Sequence, residues 1–394
     1  MEFRISLNGL SESNAFLRCL WAQFRARYGT LGWLYQPNRD GANRIINFGL
    51  ASLGEEHTIK VSIRYSRKDS INAIVVSAHP PETNVPDGID LSVQEAMERF
   101  REPKTFRLKS LVLLNKSLAI HSYKTCRWEL LPNGFGRALL ALVVKGFDRA
   151  DAELECSMRL GAVLDQLAVL TNCVWTLSSP SSTVDIHCIE EPNYVYYEKE
   201  WLEGFPIVDR RLALPQRALE CLDSLMADDP KKDVSVLRAN RHFREARQLL
   251  EVDPQSSGDV TVALLMSALE AVSVEDSVPP PCKSCGQPVY SISKRIIELG
   301  VEHLGPGSRD FFKEHYNRRS KFLHTGAVAY SLPSMRSGSH PILDLYAREG
   351  CGMTLTSGHP HNLLEFTSFI LRRYAVTRVA VDSSTREPVL LDPR

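Results

Sequence analysis

The sequence contains no apolar run long enough to span a bilayer, and its charges are balanced. Lysine and arginine together number 47, as do aspartate and glutamate, so the formal net charge is zero. A transmembrane helix needs about 20 consecutive apolar residues, and a dedicated nucleic-acid packaging protein is basic overall. We therefore expect neither a membrane protein nor a packaging protein. Any contact with nucleic acid must come from a local patch of basic residues.

The sequence also lacks the cysteine pattern of a disulfide-rich secreted protein. Its nine cysteines form an odd set, and four of them lie within apolar segments, at Cys19, Cys156, Cys173 and Cys221. Such cysteines are typical of reduced, buried thiols. The first residues show no charged-then-apolar signal pattern. Together these features predict a soluble, cytoplasmic protein.

The length and composition indicate a globular protein of two domains. At 394 residues the chain exceeds one average domain, and 43% hydrophobic with 24% charged residues is ordinary for a protein with a sizeable core. A charged, proline-containing break at residues 227–232 predicts a boundary between residues 1–230 and residues 231–394. The sequence has no internal repeats.

Residues 1–230 mix helical and strand-like segments. A helix is predicted over residues 10–28, where Phe16, Leu20 and Phe24 recur at helical spacing, and another over residues 151–174. Strands are predicted at residues 44–50, 58–64, 73–79, 105–114, 126–131 and 138–145, with a hairpin between the second and third. No metal, phosphate-loop or nucleophile signature occurs in this part. We expect an α+β domain that senses a trigger or selects a substrate.

Residues 231–394 have helical periodicity instead. Helices are predicted over residues 234–252, after an N-cap at Asp259, over residues 291–299 with a stop at Gly300, from Ser308 to Gly326, and over residues 361–379. The predicted fold is therefore an α+β N-terminal domain followed by an all-α helical bundle.

One segment of the helical part combines arginine and histidine. Residues 316–326 read YNRRSKFLHTG, so four residues separate Arg319 from His324. Arginine holds phosphate through a planar fork that keeps its charge, and histidine exchanges a proton near neutral pH. Those two properties suffice for cleaving RNA without a metal. The spacing alone is weak evidence, because five helical positions turn through about 500° and leave the side chains on different faces. From the spacing alone, a solvated basic face with a histidine near the helix C-terminus, where the helix dipole favours a cation, is the better explanation.

In a second pair of the same predicted helix, five residues separate Arg309 from His315. The context of residues 316–326, however, favours Arg319 and His324. Residues 235–380 resemble the HEPN superfamily, and within it the ApeA-like HEPN domains. A long amphipathic helix precedes a helix ending SALEAV at residues 267–272; an insertion and the arginine–histidine helix follow. Arg319 and His324 match that family's motif with four intervening residues, although Thr325 stands where the family usually has glycine.

The resemblance implies a metal-independent endoribonuclease of the antiphage-defence or toxin type. His324 would act as general base or acid, and Arg319 would stabilise charge on the phosphate. Glu270 would orient one of the two, although an ordinary solvated helix glutamate explains this residue equally well. Arg318, Asn317 and Lys321 would contact the substrate. The resemblance implies a homodimer in which two motifs face each other, RNA as substrate, no catalytic cofactor, and control by a phage-derived trigger or an antitoxin protein.

Two cysteines of the helical part have the spacing of half a zinc knuckle. Cys282 and Cys285 are separated by two residues and followed by glycine. Cys351 is the best candidate for a third ligand, ahead of several histidines, namely His303, His340, His359 and His361. A structural zinc site and a pair of loop thiols without metal both remain open.

A different class of function also fits the residues. A HEPN-type helical module that binds RNA or protein without cleaving would have the same helices, and a zinc-stabilised regulatory adaptor is a variant of that alternative. In an adaptor, Cys282 would matter more than His324. Retention of both Arg319 and His324 favours the enzyme, because a non-catalytic module has no chemical need for the pair.

Overall fold

The computed structural model describes most of the chain. It covers residues 1–55, 57–67, 69–120, 122–125, 127–178, 182–183, 207–208, 211–212, 214, 216–226, 234–253, 257–273, 292–326 and 360–384. The predicted domain break at residues 227–232 lies outside these ranges. The contacts divide the chain into two compact units. The first comprises Met1–Leu108, Val143–Ser157 and Ser181–Ile186, and the second comprises Lys109–Leu142, Met158–Pro180 and His187–Arg394.

The first unit is built on a five-stranded antiparallel sheet with strand order β1-β5-β4-β3-β2. Its strands are β1 (Glu2–Arg4), β2 (Leu31–Asp40), β3 (Ile45–Leu53), β4 (His57–Arg67) and β5 (Ser70–Ala78). Helices α1 (Gly9–Tyr28) and α2 (Ile89–Arg99) complete this unit's core. The predicted hairpin is confirmed, since β4 and β5 pair with Arg67 opposite Ser70.

The core of this unit follows the helical spacing of α1. Phe16, Leu20 and Phe24 are fully buried, and they share one cluster with Ile59 and Ile74 of the sheet. Residues three or four apart lie on one face of a helix, whereas strand residues alternate between the two faces of a sheet. Burial of the apolar face of α1 on the sheet therefore stabilises both elements.

A second sheet has the order β10-β6-β9-β8-β7, with β11 paired to β6. These strands are β6 (Lys104–Leu114), β7 (Tyr123–Lys124), β8 (Trp128–Pro132), β9 (Arg137–Gly146), β10 (Trp175–Leu177) and β11 (Ser182–Thr183); a separate pair is β12 (Ile207–Val208) and β13 (Arg211–Leu212). The same part of the chain contains helices α3 (Arg149–Thr171) and α4 (Gln216–Met226). The strands and the helix predicted in this part of the chain are confirmed, whereas α4 was not predicted.

The remaining elements are helical and share one hydrophobic core. They are α5 (Val234–Val252), α6 (Gly258–Ser273), α7 (Ile292–Leu304), a 3₁₀ turn (Pro306–Ser308), α8 (Arg309–Thr325) and α9 (Pro360–Ser384). Phe243 of α5, Met266 of α6 and Phe312 of α8 are fully buried together. The predicted α+β layout, with strands early in the chain and helices late, is confirmed at this level. No described helix combines the length and apolarity required to cross a membrane.

Three details of the helix ends differ from the predictions. Helix α7 continues through Gly300 to Leu304. A Cβ at Gly300 would overlap the Phe312 ring, so this glycine permits close packing instead of ending the helix. Asp259 is not an N-cap but lies inside the first turn of α6. Ser308 occupies the N-cap position of α8, yet its hydroxyl donates to the Gly305 carbonyl instead of capping the helix.

Candidate functional site

Helix α8 contains every described residue of the predicted motif except Glu270. It runs from Arg309 to Thr325 and ends at Gly326, which adopts the left-handed conformation with φ of 65°. Glycine tolerates that conformation because it has no Cβ. The predicted end of this helix is confirmed. The helix is regular through the whole motif, so its local geometry is that of an ordinary α-helix.

Two ion pairs join α8 to α6. The Arg318 Nε donates to the Asp259 Oδ1 at 2.7 Å, and the Arg319 Nη2 donates to the Glu270 Oε2 at 2.7 Å. The partners in α6 lie near opposite ends of that helix. Both arginine side chains are about one-fifth exposed, and only 5% of the Asp259 side chain is exposed. Charge-assisted hydrogen bonds with so little solvent around them hold the two helices in one arrangement.

The guanidinium of Arg319 has a second neighbour on its own helix. Its central carbon lies 5.7 Å from the centre of the Tyr316 ring, within the range of a cation–π contact. Its Nε is shielded from solvent and has no hydrogen-bond partner among the described residues. Glu270 and Tyr316 therefore fix the position of this guanidinium. Of the two residues that Glu270 was predicted to orient, the structure places Arg319 beside it.

His324 lies apart from that cluster. It is exposed in the last turn of α8, and in the described part of the chain no hydrogen bond or ion pair involves its ring. Five residues of a regular helix correspond to about 7.5 Å along the axis and a rotation of about 140° from Arg319. The structure therefore brings Arg319 and Glu270 together and leaves His324 directed to solvent within one chain.

The predicted substrate contacts divide between two faces of α8. Asn317, Lys321 and His324 are all exposed, and their spacing of four and three residues places them on one stripe of the helix. Arg318 points elsewhere, because Asp259 holds its side chain. Asn317, Lys321 and His324 thus share an outward face, whereas Arg318 is paired with Asp259 of α6.

The second arginine–histidine pair has a different environment. His315 is 1% exposed, its Nδ1 donates to the Phe311 carbonyl oxygen at 2.9 Å, and its ring packs 4.2 Å from the Phe311 ring centre. Burial lowers the pKa of His315 to about 4. The ring is therefore neutral near neutral pH and inaccessible to a substrate. Arg309, in contrast, is exposed.

The predicted zinc ligands Cys282, Cys285 and Cys351 lie outside the described residues, as do His340 and His359. In the described ranges no group of three or more side chains is suited to hold a metal ion. The zinc site therefore stays a prediction. The four scattered cysteines are buried thiols, as expected. Burial raises the pKa of Cys221 to about 12, which makes it a poor nucleophile.

Two contacts of this site were not predicted. The sequence predicts a helix cap at Asp259 and no contact with Arg318, and the motif gives Tyr316 no role. The spacing of Tyr316 and Arg319 by three residues was a usable signal, since such residues are neighbours on a helix.

Comparison of the chain with protein-family models, with curated proteins and with solved structures finds no match.

Proposed function

We propose that the protein is a cytoplasmic, metal-independent endoribonuclease of the HEPN type that acts in antiphage defence or as a toxin. The observation that carries this proposal is the ion pair between Arg319 and Glu270. It holds a guanidinium at a fixed place on α8, while the exposed His324 stands on the last turn of the same helix. The type of reaction is the one that the resemblance of residues 235–380 to HEPN domains implies.

In the proposed reaction His324 accepts the proton of the ribose 2′-hydroxyl. The 2′-oxygen forms a bond to phosphorus, and the bond from phosphorus to the 5′-oxygen breaks. A protonated histidine returns a proton to the leaving oxygen, so the products are a 2′,3′-cyclic phosphate and a 5′-hydroxyl. Arg319 stabilises the charge that develops on the phosphate oxygens, and Glu270 keeps its guanidinium in place.

A homodimer would solve a geometric problem of the single chain. Arg319 and His324 point about 140° apart on a regular helix. If the α8 helices of two copies face each other, His324 of one copy can approach Arg319 of the other. In that arrangement, mixing the variants Arg319→Ala and His324→Ala should restore roughly a quarter of the wild-type activity, because half of the dimers are mixed and each has one intact site.

The direct test compares wild-type protein with His324→Ala on labelled total tRNA and single-stranded RNA in EDTA. We expect cleavage by wild type to yield cyclic phosphate ends, and the variant to cleave at least about a hundredfold more slowly. The matched control is His57→Ala, which removes an exposed histidine of β4. Equal cleavage by His324→Ala and wild type would refute the proposed role of His324.

One observation favours a second candidate, a helical module that binds RNA or protein without cleaving. The ion pairs of Arg318 and Arg319 with α6 give both arginines a structural role that needs no catalysis. In that case wild type binds RNA without cleaving it, and His324→Ala binds equally well. In the zinc-stabilised form of this module, Cys282→Ser would impair binding more than His324→Ala does.

A further inference from the structure

Helices α7 and α8 line an open surface cleft of about 490 Å³. Its apolar lining comes from Ile292 and Ile297 of α7 and from the ring of Tyr316 of α8. The volume falls in the range of about 300–1,000 Å³ that is usual for sites that bind small organic groups. An apolar lining with an accessible aromatic ring suits a planar base, because every base has a face that can stack.

The rim of the cleft is positively charged. Lys294, Arg309 and Lys313 contribute three cations against the single carboxylate of Asp310. All three cationic side chains are exposed. In the described residues no ion pair involves Arg309 or Lys313, and Lys294 has only a long, exposed contact of 3.7 Å with Glu298. A chain without net charge thus places an excess of available cations around one concave surface, an arrangement that favours phosphate.

We propose that this cleft binds a nucleotide unit of single-stranded RNA, with the base against Tyr316 and the phosphodiester backbone on Arg309 and Lys313. The inference rests on the proposed function, since it assigns that enzyme a substrate-binding subsite. Free phosphate carries the same kind of charge as the backbone but has no apolar group that could contact the lining of the cleft. A purely apolar ligand would leave the cations without a partner.

Two observations connect the cleft with the candidate site. The Tyr316 ring that lines the cleft is also the ring against which the Arg319 guanidinium lies. In addition, Lys313 and His324 are eleven residues apart, so on a regular helix they point in nearly the same direction and are separated by about 16 Å along its axis. An RNA strand that follows α8 from the cleft would pass His324 after a few nucleotides.

The test uses a fluorescently labelled 2′-O-methyl RNA oligonucleotide, which lacks the attacking hydroxyl and stays intact. Its affinity is measured by anisotropy in EDTA at several salt concentrations, for the full chain and for the double variant Arg309→Ala/Lys313→Ala. Loss of two phosphate contacts should raise Kd about tenfold or more and reduce the slope of log K against log salt by about two. Both positions are exposed in a helix, where alanine is the best helix former. Circular dichroism verifies that the variant is folded.

The matched control is Lys124→Ala/Arg137→Ala, which removes two exposed cations of the second sheet. Its affinity should stay within about twofold of wild type. Equal affinity of the cleft variant and wild type, or no binding by wild type, would overturn the proposed subsite. Competition separates the two sources of phosphate. Displacement by a mononucleotide at concentrations where inorganic phosphate has no effect supports the base contact, and equal displacement by both overturns it.

The same measurement separates this subsite from the proposed function. If wild type cleaves RNA through His324 while the cleft variant binds normally, the subsite is wrong and the nuclease stands. If binding depends on the cleft but wild type cleaves no RNA, the nuclease is wrong and the subsite stands.

Discussion

The inward and outward faces of α8 use similar residue types for different purposes. On the inward face His315 is buried, and Arg318 and Arg319 are paired with carboxylates of α6. On the outward face Lys321 and His324 are exposed. A buried or paired polar group makes a defined contribution to stability, whereas an exposed one contributes little and is available to a ligand. Substitutions on the inward face should therefore lower the free energy of unfolding, whereas substitutions on the outward face should change activity and leave stability nearly unchanged.

The largest expected effect on stability concerns His315. The pKa of His315 is lowered to about 4, first by burial and to a lesser extent by the charge of Arg318, against an ordinary value of 6.5. The unfolded chain therefore binds this proton before the folded protein does as the pH falls. Stability from this group is complete above about pH 6.5 and declines between pH 6.5 and 4, by about 3 kcal/mol in all.

Urea unfolding of wild type and His315→Gln between pH 7.5 and 4 measures this contribution. We expect a steeper fall in the free energy of unfolding for wild type than for His315→Gln. His57→Gln is the matched control, because it makes the same substitution at an exposed histidine. The same pH dependence in wild type and His315→Gln would contradict the assigned environment of His315.

The next effect concerns the ion pair between α6 and α8. Asp259→Asn removes the charge that faces Arg318. We expect a loss of about 2 kcal/mol in the free energy of unfolding, the usual size for a hydrogen bond to a charged group, because Asp259 is buried while Arg318 stays one-fifth exposed. Glu245→Gln is a suitable control, since its pair with Arg241 is on the surface and should contribute less than about 0.5 kcal/mol. Equal losses in the two variants, measured by urea unfolding, would rule out a structural role for the Arg318 pair.

The smallest effect on stability is expected on the outward face. His324→Ala should change the free energy of unfolding by less than about 0.5 kcal/mol, because the ring is exposed and makes no hydrogen bond among the described residues. Thermal unfolding of the variant used in the cleavage assay provides this number. A loss of several kcal/mol would mean that His324 supports the fold, and the lost cleavage would then no longer identify a catalytic group.

Helices with regularly spaced apolar residues were predictable from the sequence, whereas a strand that contains glycine and proline was not. The apolar repeat of α1 and the segment that forms α5 were recognised because their spacing matches the helical period. Strand β2 was missed, since it contains Gly32, Pro37 and a turn-like Asn-Arg-Asp end. The pairing of β2 with β3 stabilises the strand in spite of these residues. Pro37 falls within the bulge between Tyr35 and Asn38, where a proline is tolerated in a sheet.

The candidate site was predictable by residue type but not by environment. Arg319, His324 and Glu270 were named from the sequence, as was the end of α8 at Gly326. The same reasoning placed Gly300 at a helix stop, because glycine commonly follows a helix. Close packing against Phe312 explains this glycine instead, and that contact depends on how α7 meets α8.

The sequence by itself determined the α+β and helical parts of the chain, its balanced charge and the position of the arginine–histidine motif, because these depend on composition and local periodicity. Only the tertiary structure decided which arginine meets which carboxylate. Asp259 is 59 residues from Arg318, and Glu270 is 49 residues from Arg319. Contacts over such separations depend on the packing of whole helices, and no local pattern encodes them. The same packing buries His315 and leaves His324 exposed.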